Sequence, residues 1–315
     1  MTRPPQRATA FAPASASNLA VGFDILGHPA GPTGDRVTVT RRGEPGVVIT
    51  GISGIAGPLP MDPAANTATV GLVRMLDDVR PGFGLEVSIE KGIPLGSGTG
   101  GSAASAVAGI VAANALLPEP LEPAALFRYA LMGEAVASGA VHGDNVAPCL
   151  FGGLVLVRSA EPMDVVALPV PATLRCAMAR PHQRLDTRAA RQVLPPAYPL
   201  HDVIRQTANL AGVVAGCCTG DLELVGRSLR DVLIEPHRAA LIPGFYEVKE
   251  AAMKAGALGC SISGAGPSLF AWCDGDAIAD AVRGAMVGAF AARGVAADGW
   301  TCAVGGPGAR VEEVA

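Results

Sequence analysis

The chain has 315 residues, a formal net charge of −4 and a pI near 5.8, so nothing in its electrostatics draws it to nucleic acid or to an anionic membrane. Half of its residues are hydrophobic but only 4% are aromatic, which predicts cores of Ala, Val, Leu and Ile, and the length suits two domains. Seven cysteines without a C-x-x-C pair speak against a disulfide scaffold and predict buried, reduced thiols in a cytoplasmic protein whose partners are small molecules.

In chain order, Ala8–Ala12 reads as a strand running into a small polar turn, Pro13–Asn18. Strands follow at Asp35–Thr40 and Gly46–Thr50, and the apolar spacing of Ala68–Asp78 predicts a helix. Leu85–Ile89 is a strand, the alanine-rich run from Ser102 to Leu117 a helix too short to span a bilayer, and Glu122–Ser138 a second helix that starts behind two prolines. His142-Gly143-Asp144-Asn145 reads as a turn. Gly152–Arg158 and Val165–Leu168 are strands, and the domain division is placed between residues 166 and 167. The second half opens with a strand at Leu174–Ala179, then helices over 187–193, 201–219, 221–233 and 246–255. Cys260–Ser263 and Ser268–Trp272 are short strands around Gly264-Ala265-Gly266-Pro267, followed by a helix over Ile278–Arg293 and a closing strand at Gly299–Val304. Strands and helices mix without a βαβ rhythm, which predicts an α+β fold rather than a doubly wound sheet.

The most telling segment is Pro94-Leu95-Gly96-Ser97-Gly98-Thr99-Gly100-Gly101-Ser102-Ala103-Ala104-Ser105. Glycines let successive backbone N–H groups turn toward one point, and the N-terminus of the following helix adds positive potential there, so this is an anion cradle. Gly96, Gly98 and Gly101 satisfy the dinucleotide pattern literally, but Pro94 and a charged turn separate them from the preceding strand, and no strand follows the helix. No Gly-Lys-Ser/Thr closes the loop, and Lys91 stands on the wrong side of the glycines for a Walker lysine.

Glu134 shares a helical ridge with Leu126 and Ala130, so its carboxylate falls among apolar neighbours; beside phosphates its cation would be Mg²⁺, and the alternative is a helix-end glutamate reaching water. Asn18 and Asp24 can converge on an ammonium or hydroxyl group, or they form an Asx-turn pair that only shapes the loop. Arg191 and Arg238 carry forks that match a carboxylate or phosphate, or they are solvated helix charges. The Gly264–Pro267 turn can bring backbone close to another loop.

Three segments in order, Pro13–Gly27, Pro94–Ser105 and Ser261–Phe270, resemble the GHMP small-molecule kinase superfamily. Met132-Gly133-Glu134, His142–Pro148, the Arg191 segment and Ile234–Gly244 are similar to its homoserine kinase branch, and together these stretches cover nearly the whole chain. The resemblance implies a two-domain fold: an N-terminal ATP-binding domain (1–166) like ribosomal protein S5 domain 2, and a C-terminal ferredoxin-like α/β sandwich (167–315) that completes the substrate site. It implies Mg²⁺-dependent transfer of the ATP γ-phosphoryl group to the hydroxyl of L-homoserine, a step toward threonine, in a homodimer. The loop from Pro94 to Ala104 would hold the triphosphate, Ser102 and Glu134 the metal, and Asn66 would lie near the nucleoside. Asn18, Asp24 and Asn145 would surround the amine and hydroxyl of the amino acid, and Arg191 and Arg238 its carboxylate; Glu134, Asn145 and Arg238 would be the catalytic set. Where the family loop reads Gly-Leu-Gly-Ser-Ser, this chain has Thr99 for the Leu and Gly101 for the first Ser, a departure that bears on ATP affinity. No dedicated base is expected, since a loose phosphoryl-transfer transition state asks mainly for positioning; Asp144 is the nearest candidate. A mevalonate-type or sugar kinase would share the glycine segments without the paired arginines. A non-catalytic ATP-binding regulator would have no need of both Ser102 and Glu134.

Overall fold

The computed structural model describes residues 4–55, 57–138 and 143–315. Two sheets organise it. The first contains β1 (Arg7–Asn18), β2 (Gly22–Arg42), β3 (Val47–Gly54), β4 (Gly84–Lys91), β5 (Leu154–Ser159), β6 (Asp164–Leu168) and β11 (Arg310–Val314), with the path β11-β1-β2-β4-β3 and the β5–β6 hairpin joined to β2. The second is antiparallel, in the order β10 (Ala297–Ala303), β7 (Leu174–Pro181), β9 (Leu269–Asp274) and β8 (Gly259–Ile262). Strand β6 spans the 166/167 position and pairs with β5, and β11 brings the C-terminal residues back to β1.

Helices α1 (Val70–Val79), α2 (Gly101–Asn114), α3 (Pro123–Ser138) and α4 (Gly143–Phe151) belong with the first sheet. Helix α2 is almost wholly buried, which its Ala, Val and Ile content permits. Strand β4 alternates as a half-buried strand should, with Leu85, Val87 and Ile89 inward and Glu86, Ser88 and Glu90 outward. The second half adds α5 (Thr187–Gln192), α6 (Leu200–Thr219), α7 (Leu222–Ser228), α8 (Glu235–Arg238), α9 (Phe245–Lys254) and α10 (Asp276–Ala292). Val248, Ala252, Val282, Met286 and Phe290 of α9 and α10 pack on the second sheet as a separate core. The larger core crosses from the first sheet to Met178 and Trp272 of the second. There the buried His28 on β2 accepts a hydrogen bond from Trp272 Nε1 (3.1 Å) and donates from Nδ1 to the Pro29 carbonyl (2.8 Å); burial pushes its pKa down to about 4.

Three local expectations are corrected. Residues 13–18 are no turn: β1 runs on to Asn18, paired with β2, and buries Ser15 and Ser17 completely. The helix expected over 221–233 stops at Ser228, because the Asp231 carboxylate takes the backbone amides of Leu233, Ile234 and Glu235 (each 2.9 Å) and turns the chain into α8. The turn expected at 142–145 is, from Gly143 onward, the first turn of α4; His142 lies outside the described residues. All seven cysteines are free; Cys149, Cys176, Cys217, Cys260 and Cys273 are buried as expected, whereas Cys302 is half-buried and Cys218 is exposed.

Candidate active site

The glycine loop links β4 to α2. Gly96, Gly98 and Gly100 all take positive φ, which faces successive amides the same way. The N-terminus of α2 has neither a side-chain cap nor an acidic residue in its first turn, so its amides and dipole are left for an anion. The loop is held by its carbonyls. Ser263 Oγ donates to Gly98 O (2.8 Å), Ser268 Oγ to Ser97 O (2.6 Å), and the Leu185 amide to Gly96 O (2.9 Å). A Cβ on Gly98 would lie 2.6 Å from Gly266 O and 2.7 Å from Ser263 O, so the turn between β8 and β9 rests directly on the loop, the close approach anticipated for it.

The departures in the loop have physical reasons. Thr99 is buried and its hydroxyl pairs with Ser97 Oγ (2.7 Å), so it braces the loop from within. A Cβ at Gly101 would sit 3.0 Å from Ile93 Cγ2, so a serine there would fit only with a small shift of the Ile93 side chain. Lys91 is not a phosphate ligand. It is buried against Asp35, donates to Gly101 O (2.9 Å) and Ser105 Oγ (2.7 Å), and so ties β2, β4 and α2 together. Asp35 also accepts the amides of Gly92 (3.0 Å) and Ile93 (3.1 Å) and the Ser105 hydroxyl (2.6 Å). Nothing in the spacing of Asp35 and Lys91 marks that pair; only the β2–β4 register brings them together.

Glu134 is buried on α3, beside a close contact between Gly133 and Thr67 O that seats the Asn66 turn on the same helix. Burial pushes the Glu134 carboxyl up to about 7; a hydrogen bond from Ser102 works against this, and the nearby Asp144 carboxylate adds to it. Asn66 is buried and bonds within its own turn, to Pro60 O (2.7 Å) and from the Ala68 amide (2.9 Å). Among the described residues no three His, Cys, Asp or Glu side chains converge as a metal cluster. One carboxylate with one hydroxyl is the donor set that Mg²⁺ uses when phosphate oxygens supply other ligands, so Ser102 and Glu134 fit that ion.

The other end of the site is built from charged side chains. Arg191 Nη2 bonds both oxygens of Asp24 (2.9 and 3.0 Å). Asn18 donates to Gly264 O (2.7 Å) and accepts the Asp24 amide (2.9 Å), and both Asn18 and Asp24 have positive φ. Arg238 is 2% exposed, donating from Nε to Ala190 O (2.9 Å) and from Nη1 to Gly264 O (3.2 Å). Burial and then the neighbouring Arg191 lower its pKa, against the pull of Asp24 and Asp231. Neither arginine is a free helix charge.

Between the two ends, Asn145 accepts from Ser15 Oγ (2.8 Å) and donates to Ser17 Oγ (3.0 Å). Asp144 beside it is buried, with Oδ1 left without a hydrogen-bond partner; burial first, then Asp24, pushes its carboxyl up to about 7. The sequence-predicted residues therefore form two clusters joined by Asp144 and Asn145. Ser15, Ser17, Ser263 and Ser268 hold them together, a role the sequence does not mark, because small hydroxyls in small-residue runs carry no signal.

The fold and site have known counterparts. Residues 66–153 match the family described as GHMP kinases N terminal domain, and residues 213–292 match GHMP kinases C terminal. A homoserine kinase of Xylella fastidiosa strain 9a5c is 52% identical over 305 residues, covering 97% of this chain and 94% of that protein. One from Chlorobium phaeovibrioides is 46% identical over 313 residues, covering 96% of this chain and 98% of its own length. The crystal structure of homoserine kinase from Cytophaga hutchinsonii superposes with a TM-score of 0.95 at 43% identity, covering 99% of each chain.

Proposed function

This chain belongs to the GHMP kinases and, within them, to the homoserine kinases, and from that premise we propose how its two-ended site phosphorylates L-homoserine. It is an ATP-dependent small-molecule kinase. The observation that carries the assignment of the ends is the separation between a backbone-built anion cradle and a cluster of the half-buried Asp24–Arg191 pair with the buried Arg238, with Asp144 and Asn145 between them.

In this reading, the amides from Gly96 to Ala104 and the start of α2 hold the triphosphate, and Ser102 and Glu134 hold Mg²⁺, which neutralises charge on the phosphate oxygens when bound. The Asn66 turn borders the nucleoside. A zwitterionic amino acid needs an acid and a guanidinium, and Asp24 and Arg191 already satisfy each other. Substrate therefore enters that pair: its ammonium takes Asp24 with Asn18, and its carboxylate takes Arg191 and Arg238. Asn145, fixed by Ser15 and Ser17, orients the hydroxyl toward the cradle. Asp144, whose carboxyl burial and then Asp24 push up to about 7, holds that hydroxyl from the other side, and a loose transition state asks little more of it. The product, O-phospho-L-homoserine, serves threonine biosynthesis. The enzyme works as a homodimer in the cytoplasm, which sedimentation and fractionation check. No described helix is long and apolar enough to cross a membrane.

Arg238→Ala tests the assignment. It should raise the homoserine KM about 100-fold, the scale of a lost charge-assisted pair of bonds, and leave the ATP KM within about twofold. Equal effects on both would remove Arg238 from the substrate pocket.

A further inference from the structure

Phe23 stands between the glycine and the aspartate of the first segment. Its ring has two guanidinium groups over it: Arg191 Cζ lies 5.2 Å from the centroid and Arg238 Cζ 5.1 Å. The ring also borders a cavity of about 270 Å³, walled by Val21, Ile25, Leu194, Pro195 and Tyr198 among others. A side chain placed by core packing is surrounded by close neighbours. Phe23 is only half-buried, with open volume on one side and cations over its face.

The two cations need such a surface. Arg238 is nearly inaccessible to water and Arg191 stands close enough to repel it. Asp24 pairs with Arg191, and the hydrogen bonds of Arg238 among the described residues go to carbonyls, at Ala190 and Gly264. An aromatic face attracts a cation within about 6 Å, more strongly when water is excluded. The ring lies against both guanidinium groups without adding a charge that would compete for the substrate's ammonium.

We propose that Phe23 is a positioning residue for the carboxylate of the acceptor: its ring holds Arg191 and Arg238 side by side so that both address one carboxylate. This rests on the substrate reading above, in which that arginine pair receives the amino acid.

The test compares Phe23→Leu and Phe23→Tyr with Arg238→Ala by steady-state kinetics, with thermal unfolding to verify folding and Phe23→Met in place of the leucine variant if that does not fold. Leucine keeps an apolar side chain and removes the π face; tyrosine keeps the face. Phe23→Leu should raise the homoserine KM about tenfold or more, with the ATP KM within about twofold, and Phe23→Tyr should stay within about threefold of the native enzyme. The preference for homoserine over 3-aminopropanol, its counterpart without the carboxylate, should narrow by about the same factor in Phe23→Leu and persist in Phe23→Tyr, a change that loosened packing alone does not produce. A native homoserine KM in Phe23→Leu, equal damage from tyrosine and leucine, or a parallel rise in the ATP KM each overturns the proposal. If Arg238→Ala leaves the homoserine KM unchanged, the substrate reading itself fails; if Arg238→Ala raises it and Phe23→Leu does not, only the role of Phe23 fails.

Discussion

The end proposed for the nucleotide is made of backbone amides in a glycine loop, braced by serine and threonine hydroxyls; the end proposed for the amino acid is made of charged side chains from β2, α5 and α8. The difference matches the ligands proposed for the two ends. A triphosphate presents many equivalent oxygens, which a concave row of N–H groups can meet without a charged side chain. A small zwitterion presents one ammonium and one carboxylate, and telling it from other small alcohols needs opposite charges at fixed separation. The turn at Ser263–Pro267 serves both ends, with Ser263 and Gly266 against the loop and Gly264 O accepting from Asn18 and Arg238.

That contrast can be broken at several points. The largest effect is expected at the one carboxylate of the nucleotide end: Glu134→Gln should lower kcat about 10³-fold with little change in the homoserine KM. A modest loss would mean that backbone alone suffices there. Gly98→Ala comes next. Its Cβ would meet two backbone carbonyls at a φ of 76°, so ATP affinity should fall about 100-fold by direct binding measurement, whereas native affinity would show that the loop yields. Asp144→Asn should keep turnover within about tenfold; a fall of 10² to 10⁴ with binding intact would make it a dedicated base. Thr99→Leu, which restores the usual family residue and removes the partner of Ser97 Oγ, should move the ATP KM by about threefold.

The buried carboxylates also set a pH dependence. With pKa values raised to about 7, Glu134 and Asp144 hold protons in the folded protein that the unfolded chain has released above about pH 4. Their contribution to stability is therefore present at low pH and lost as pH rises through 7. His28, lowered to about 4, works the other way: its contribution is present above the ordinary histidine range and lost as pH falls toward 4. In the absence of nucleotide and metal, Tm should fall between pH 6.5 and 8, and Glu134→Gln should flatten that slope. An unchanged slope would mean that Glu134 is not charged at a cost.

The same contrast governs what could be read from the sequence. The anion cradle was legible because its parts are contiguous, and Glu134 because helical periodicity put it on a buried ridge. Asp24, Arg191 and Arg238 lie far apart in the chain and gain meaning only through resemblance; spacing leaves Asp24 open between site and Asx turn, and the arginines between site and solvated surface. Lys91 with Asp35, and Ser15 with Ser17, were illegible for another reason: strand register and face decide their partners, and 13–18 looks like a turn by composition. The long strand won because pairing with β2 and burial outweigh local preference. Asp231 likewise ended α7 with a side-chain bond that helical spacing does not reveal.

The central claim is that the amino-acid end selects a homoserine-sized zwitterion for phosphorylation by the nucleotide end. ADP release measured in parallel with L-homoserine, L-serine, L-threonine and mevalonate tests it most directly. Rapid, saturable release with L-homoserine and little with the other three is the predicted result; equal release with mevalonate, or none with L-homoserine while ATP still binds, would contradict it.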